Sequence, residues 1–221
     1  MKTKTPIEPP TASLPAIPHP KAIPVLGRSE GLEGLLRTQS FQLLLKSGAP
    51  VEVDDLAKLS QTDRSKVAAT LGDLDRAGRI RRDEAGRVVG AAGLSVVPAS
   101  HQIEVGGRHF WTWCAYDALG ILGSLGKGGT VVTKSPQTGD RLEIQFDGPM
   151  PLRHDLVLLM ADTSDCVSTV EDYCPRVNLF ESEELARQWM AGNGVEGEVL
   201  TIDEATRVGI ADWTPLLDTH G

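Results

Sequence analysis

At 221 residues, with 40% hydrophobic and 24% charged side chains, the chain is long enough to bury a sizeable core and has the make-up of an ordinary globular protein. Its formal net charge of -8 counts against non-specific attachment to a phosphate backbone. No apolar run approaches the roughly 20 residues of a membrane-spanning helix, and the lysine-bearing start lacks the apolar stretch of a secretory leader, so a cytoplasmic protein with no membrane partner is expected.

In chain order, residues 1–27 hold seven of the fourteen prolines and few large apolar groups, which reads as an extended or disordered arm. From 28 to 98 the pattern turns helical. "SEGLEGLLRTQSFQLLLKSG" spaces Leu32, Leu35, Leu36, Leu43, Leu44 and Leu45 at roughly helical intervals and stops at Gly48. "VEVDDLAKLSQ" reads as a short helix capped at Val53 or Asp54. "TDRSKVAATLGDLDRAGRI" reads as a third, with Thr62 or Asp63 as cap and Val67, Leu71 and Leu74 as its apolar stripe. "RIRRDEAGRVVG" then reads as a β-hairpin. Helix, short helix, helix, hairpin is the order of a winged helix-turn-helix. Arg64, Lys66, Arg79, Arg81, Arg82 and Arg87 stand where a DNA reader would place cations, but they alternate with acids on an acidic chain, and solvation of a hairpin is the simpler expectation.

From 99 to 221 the pattern is α/β-like and predicts a mixed β-sheet with flanking helices, an α+β protein as a whole. "HQIEVGGRHFWTW" suggests a strand, a Gly-Gly turn and the entry to a helix that "AYDALGILGSLG" continues. "TVVTKSPQTGDRLEIQFDG" reads as two strands about a turn, and "DLVLLMAD" and "RVNLFES" as apolar strands. Ser182 signals the cap of the helix "EELARQWMAGN", and "GEVLTIDEATRVGIADW" closes with a strand and a short helix.

The cysteines are Cys114, Cys166 and Cys174: an odd number without a Cys-x-x-Cys pair, so free thiols are expected rather than a disulfide framework or a structural zinc site. "FWTWCAYDA" places Cys114 and Asp117 three apart, on one face if the segment is helical. Cys114 alone would pass for a small buried hydrophobe. A carboxyl beside it, in aromatic surroundings, would have a raised pKa or a compensating hydrogen bond, although Asp117 could equally cap a late-starting helix or face solvent. Cys174, before Pro175, is expected in an extended or turn conformation, more accessible than within a strand and able to reach a ligand, with a lone surface or packing cysteine as the equal alternative. Cys166, near Asp165 and Glu171, is the less reactive candidate.

The runs "GRVVGAAGLSVVPASHQIEVGGRHFWTWCAYDALG", "TKSPQTGDRLEI" and "YCPRVNLFESEELARQWMAGNGVEGEVLTIDEA" together resemble the organomercurial (alkylmercury) lyases, in the same order over about residues 30–210. The resemblance implies that Cys114, Asp117 and Cys174 are the catalytic residues and hold the Hg(II) product. Two positions depart from the family pattern. Ser135 and Pro175 stand where many members have further cysteines, which the family's central chemistry does not require.

The chemistry of a carbon–mercury bond accounts for that set. Mercury prefers thiolate ligands. A second thiolate raises it to three-coordination and weakens its bond to carbon, and a carboxylic acid delivers the proton that carbon needs as it leaves. Aromatic neighbours suit methyl, ethyl or phenyl groups. The resemblance implies an organomercury substrate, no required cofactor, external cellular thiols for release of Hg(II) and possible handover to a mercuric reductase. Two other readings remain open: a soft-metal (copper or mercury) binding protein or chaperone on the same fold, and a thiol-based regulator that reads DNA.

Overall fold

The computed structural model describes residues 30–162 and 168–217. The proline-rich 1–27 arm and Cys166 therefore lie outside the described residues.

Three helices come first. α1 (Gly31–Ser47) buries Leu36, Phe41 and Leu44, and its chain reverses at Gly48. α2 (Val53–Ser60) starts after Glu52, one residue before the expected caps. α3 (Arg64–Arg76) is capped by Asp63, one of the two residues expected there, whose carboxylate accepts from the backbone of Ser65 and Lys66, and it buries Val67, Leu71 and Leu74. The expected hairpin comes next as β1 (Ile80–Arg82) and β2 (Val88–Ala91), antiparallel.

The hairpin forms one edge of a larger sheet. β2 pairs with β3 (Leu94–Ser95), and β3 with β5 (Arg108–Thr112); β5 pairs with β4 (His101–Val105). β6 (Gly129–Lys134), β7 (Arg141–Asp147) and β8 (Met150–Pro151) complete an eight-stranded sheet in the order β1-β2-β3-β5-β4-β6-β7-β8. A second, three-stranded sheet places β9 (Val157–Ala161) between β10 (Asn178–Phe180) and β11 (Gly197–Thr201). The central strand of that sheet is buried on both faces, which is why "VLLMA" has no polar alternation. The α+β class holds, and the expected mixed sheet is corrected: the hydrogen-bonded strand pairs of the described residues are antiparallel, and the connecting helices carry the chain past one strand, from β5 over β4 to β6 and from β10 over β9 to β11. "RHFWT" is also a strand, not the entry to a helix, because Phe110 and Thr112 alternate inward with exposed or half-buried neighbours.

Two helices hold the centre. α4 (Ala115–Leu125) is buried along almost its whole length, and α6 (Ile202–Leu217) crosses it. Gly120 and Gly209 meet at the crossing: a β-carbon on Gly209 would lie 2.6 Å from the Gly120 Cα, and one on Gly120 would enter the Trp213 ring. α6 runs for 16 residues, not the short helix expected, because its apolar face covers the length of α4. α5 (Glu183–Asn193), capped by Ser182 as expected, flanks the smaller sheet. Among the described residues no helix is long and apolar enough to cross a membrane.

Candidate active site

The first turn of α4 carries Cys114 and Asp117. Cys114 is the N-cap, in extended conformation, and Asp117 is the third helical residue. The Asp117 Oδ2 accepts the Cys114 backbone N–H at 2.9 Å, while the Asp117 N–H faces the Cys114 sulfur, a reciprocal cap in which a thiol stands where serine or threonine is usual. Asp117 is thus both a cap and a buried carboxyl, two roles that the sequence left as alternatives. The Thr112 hydroxyl donates to the Cys114 carbonyl at 2.8 Å and fixes the chain as it enters the helix.

Cys174 arrives on a different kind of structure. A single π turn (Thr169–Tyr173) runs into a 3-10 turn (Cys174–Arg176), with Pro175 as its second residue. Cys174 has helical backbone angles (φ -55°, ψ -38°), and only 1% of its surface is exposed. The expectation of an accessible thiol is thereby corrected. The turn folds inward because Tyr173 buries its ring and directs its hydroxyl to Met160, while Asn178 donates to the Pro175 carbonyl at 2.8 Å. The Ala115 N–H, one of the unsatisfied donors at the start of α4, donates to the Val177 carbonyl at 3.3 Å. That one backbone bond ties the two cysteine-bearing segments together.

The ligand atoms of Cys114, Asp117 and Cys174 all lie within 4.8 Å of one another, and all three residues are buried. Burial pushes the Asp117 carboxyl up to about 6, against the opposing pull of its hydrogen bonds with Cys114 and of the Arg37 charge. Burial likewise raises the Cys114 thiol well above its ordinary value, helped by its hydrogen bond to Cys174 and by the Asp117 charge. Cys174 accepts that thiol–thiol bond, which pulls it down, but burial and Asp117 outweigh the bond and its net shift is also upward. The pair therefore sheds its first proton more readily than its second.

Some contributors were not singled out in the sequence. Arg37, from α1, brings a guanidinium whose charge is felt at Asp117; burial and Arg79 lower its pKa to about 10, so it remains a cation at neutral pH. Its only sequence signal is a cation in a leucine-rich run. Gly93, in the turn between β2 and β3, lies against the carboxyl of Asp117; the dipeptide Ala92-Gly93 between two short apolar runs marks the turn but not what it covers. The arginines considered as DNA contacts are largely engaged with acids: Arg64 with Asp54, Arg82 with Asp75 and Arg87 with Asp83. Arg81 reaches Glu171 at 2.8 Å, joining β1 to the turn that leads to Cys174.

Two buried thiols and a buried carboxyl whose ligand atoms converge in an α+β interior are a donor set suited to a soft metal. Comparison with known proteins narrows the class. The family model for alkylmercury lyase matches residues 94–214. An alkylmercury lyase from Staphylococcus epidermidis is 30% identical over 188 residues, which is 83% of each chain, and one from Bacillus cereus is 27% identical over 169 residues, 75% of each. The solved mercury-bound form of MerB2 has the same fold, with a TM-score of 0.76 at 22% identity over 87% of this chain and 95% of that one. The chain belongs to the alkylmercury lyase family, a family of enzymes.

Proposed function

We propose that the protein cleaves the carbon–mercury bond of organomercurials by protonolysis, releasing a hydrocarbon and Hg(II), with Cys114 and Cys174 as the thiolate ligands and Asp117 as the proton carrier. The observation that carries this reading is the mutual approach of three buried ligand atoms within 4.8 Å.

Atoms and protons balance through three steps. The first thiol binds R–Hg–X, its proton leaving with the departing anion X. The second thiol passes its proton to Asp117 as its sulfur binds mercury, giving a three-coordinate centre in which the bond to carbon is weakened. Asp117 returns that proton to carbon, R–H departs, and Hg(II) stays on two thiolates beside a carboxylate. A carboxyl held near 6 suits both halves of this transfer, since it is basic enough to take a proton from a metal-bound thiol and acidic enough to give it up. Arg37 supplies a positive charge that favours the carboxylate left at the end.

No resident cofactor enters these steps. A dithiolate chelate of Hg(II) is too tight to leave unaided, so release goes to external cellular thiols, with a mercuric reductase as an onward acceptor; these partners place the protein in the reducing cytoplasm. We assign the 99–221 core the chemistry and the 28–98 module the role of a cover that brings Arg37 and Arg81 to the site.

The test is gas-chromatographic detection of benzene from a phenylmercury salt with excess thiol. Release by the parent protein, abolished separately in Cys114→Ser, Cys174→Ser and Asp117→Ala, is expected. Full activity in any one variant removes that residue from the mechanism. Stoichiometric mercury capture without benzene would instead identify a soft-metal binding or chaperone protein.

A further inference from the structure

We infer that the Ala92–Gly93 turn, latched by Trp213 of α6, is a positioning element that holds the Asp117 carboxyl in its orientation against the two sulfurs. The kinetic part of this inference rests on the lyase reading above; the geometric part does not.

Both residues of the turn are left-handed, Ala92 with φ 48° and Gly93 with φ 86°. Glycine takes that conformation freely. At position 93 it is required twice over, because a β-carbon there would stand 2.5 Å from Asp117 Cγ and 2.6 Å from its Oδ1. The backbone of the turn therefore lies directly on the carboxyl, with no space for water between them. Asp117 Oδ2 is tied on its other side by the Cys114 N–H. One oxygen is tethered and the other is faced by main chain, so the carboxyl has no free rotation.

The turn is itself held from two directions. The Trp113 N–H donates to the Gly93 carbonyl at 3.0 Å, fastening it to the residue before Cys114. The buried indole N–H of Trp213 donates to the Ala92 carbonyl at 2.8 Å, across 121 positions of sequence. The Trp213 ring meets Tyr116 edge-on at 5.3 Å and packs over Gly120, so the latch is anchored on the same helix that carries Asp117. A general acid must sit within hydrogen-bonding distance of the atom it protonates, and displacement by about an ångström is enough to cost roughly a hundredfold in rate.

Gly93→Ala tests this directly, with Gly86→Ala as the control: Gly86 has nearly the same backbone angle (φ 83°) in a hairpin turn, but a β-carbon there meets nothing within 4 Å. Expected for Gly93→Ala are a kcat for benzene release lowered about 100-fold, a KM within about threefold of the parent, and undiminished 1:1 binding of Hg(II) by sulfur-to-mercury charge-transfer absorption. Trp213→Phe, which keeps an aromatic ring and removes the indole N–H that makes the latch, is expected to lose about tenfold in kcat. An unchanged kcat in Gly93→Ala, or an equal fall in Gly86→Ala, overturns the inference. Should Gly93→Ala fail to fold, Trp213→Phe decides: parental kcat overturns the inference.

If the parent releases no benzene, the lyase reading falls by itself. The turn is then judged in the mercury-free protein by the carbon-13 signal of the Asp117 carboxyl. Displacement of that signal in Gly93→Ala and Trp213→Phe but not in Gly86→Ala supports a positioning role; an unmoved signal in both overturns it.

Discussion

Cys114 and Cys174 reach one point from unlike scaffolds. Cys114 sits at the head of a helix that is buried nearly throughout, is locked by the Gly120–Gly209 crossing with α6, and shares its first turn with the acid. Cys174 sits on consecutive π and 3-10 turns held by side-chain contacts, by the Val177–Ala115 backbone bond and by the exposed end of the Arg81–Glu171 pair. π turns are uncommon and concentrate at functional sites, since their wider ring is retained only where geometry demands it. Under the proposed mechanism, the difference would give stiffness to the sulfur–acid pair, whose mutual geometry would govern proton transfer, and leave adjustability to the second sulfur as the metal gains a ligand.

The largest test of the stiff half is Asp117→Asn. Benzene release should fall by about a thousandfold or more, within the range for loss of a positioned proton carrier, while Hg(II) still binds the two sulfurs. The same variant should be more stable than the parent at pH 8. The folded carboxyl binds its proton up to about 6, whereas the unfolded one releases it near its ordinary value. Unfolding free energy of the parent therefore decreases as pH rises through that window and stays lowered above it, by about 2–3 kcal/mol. Urea titrations at pH 4 and pH 8 should show an Asn advantage that is small at the first and nearly full at the second. An equal advantage at both would mean that Asp117 is not held protonated by the fold.

Next in size is Gly209→Ala. Its β-carbon would meet the Gly120 main chain at 2.6 Å, and backbone cannot rotate away. A loss of about 1–3 kcal/mol is expected from overpacking, read as a lower urea midpoint, with kcat falling because α4 carries both reacting groups. An unchanged midpoint would show that the helix crossing is looser than the two glycines imply. The smallest effect is expected in the adjustable half. Arg81→Met removes an ion pair whose acid side chain is 67% exposed, so stability should change by less than about 1 kcal/mol, with a modest rise in KM and little change in kcat. A collapse of kcat in Arg81→Met would reverse the comparison and make the 168–176 segment the stiff partner.

Much of the fold was legible because local chemistry wrote it. Ser182 caps the helix it was expected to cap and Asp63, rather than Thr62, caps α3, and the β1–β2 hairpin and β6–β7 turn lie where their turn residues placed them. Two of the misreadings share one cause. Cys174 became buried and α6 became long because each lies against a partner distant in sequence, and tertiary burial overrides local preference. "RHFWT" became a strand through a nearer partner, pairing with β4 across the Gly106–Gly107 turn. Gly93 and Arg37 went unread for the first of these reasons: nothing beside them in the chain says that one lies against Asp117 and that the other's charge reaches it.

By itself, then, the order of residues determined which groups are chemically able to do this work: a thiol and a carboxyl one helical turn apart, a second thiol some 60 positions on, and apolar segments to enclose them. Their spacing along one helix is local geometry, readable without a fold. Only the tertiary structure decided that the distant sulfur closes on the other two, that the carboxyl is dry enough to keep its proton to about 6, that a glycine from the β2–β3 turn lies against it, and that the charge of an arginine on the first helix reaches it. Desolvation and convergence depend on what packs around a group, and those neighbours come from every part of the chain.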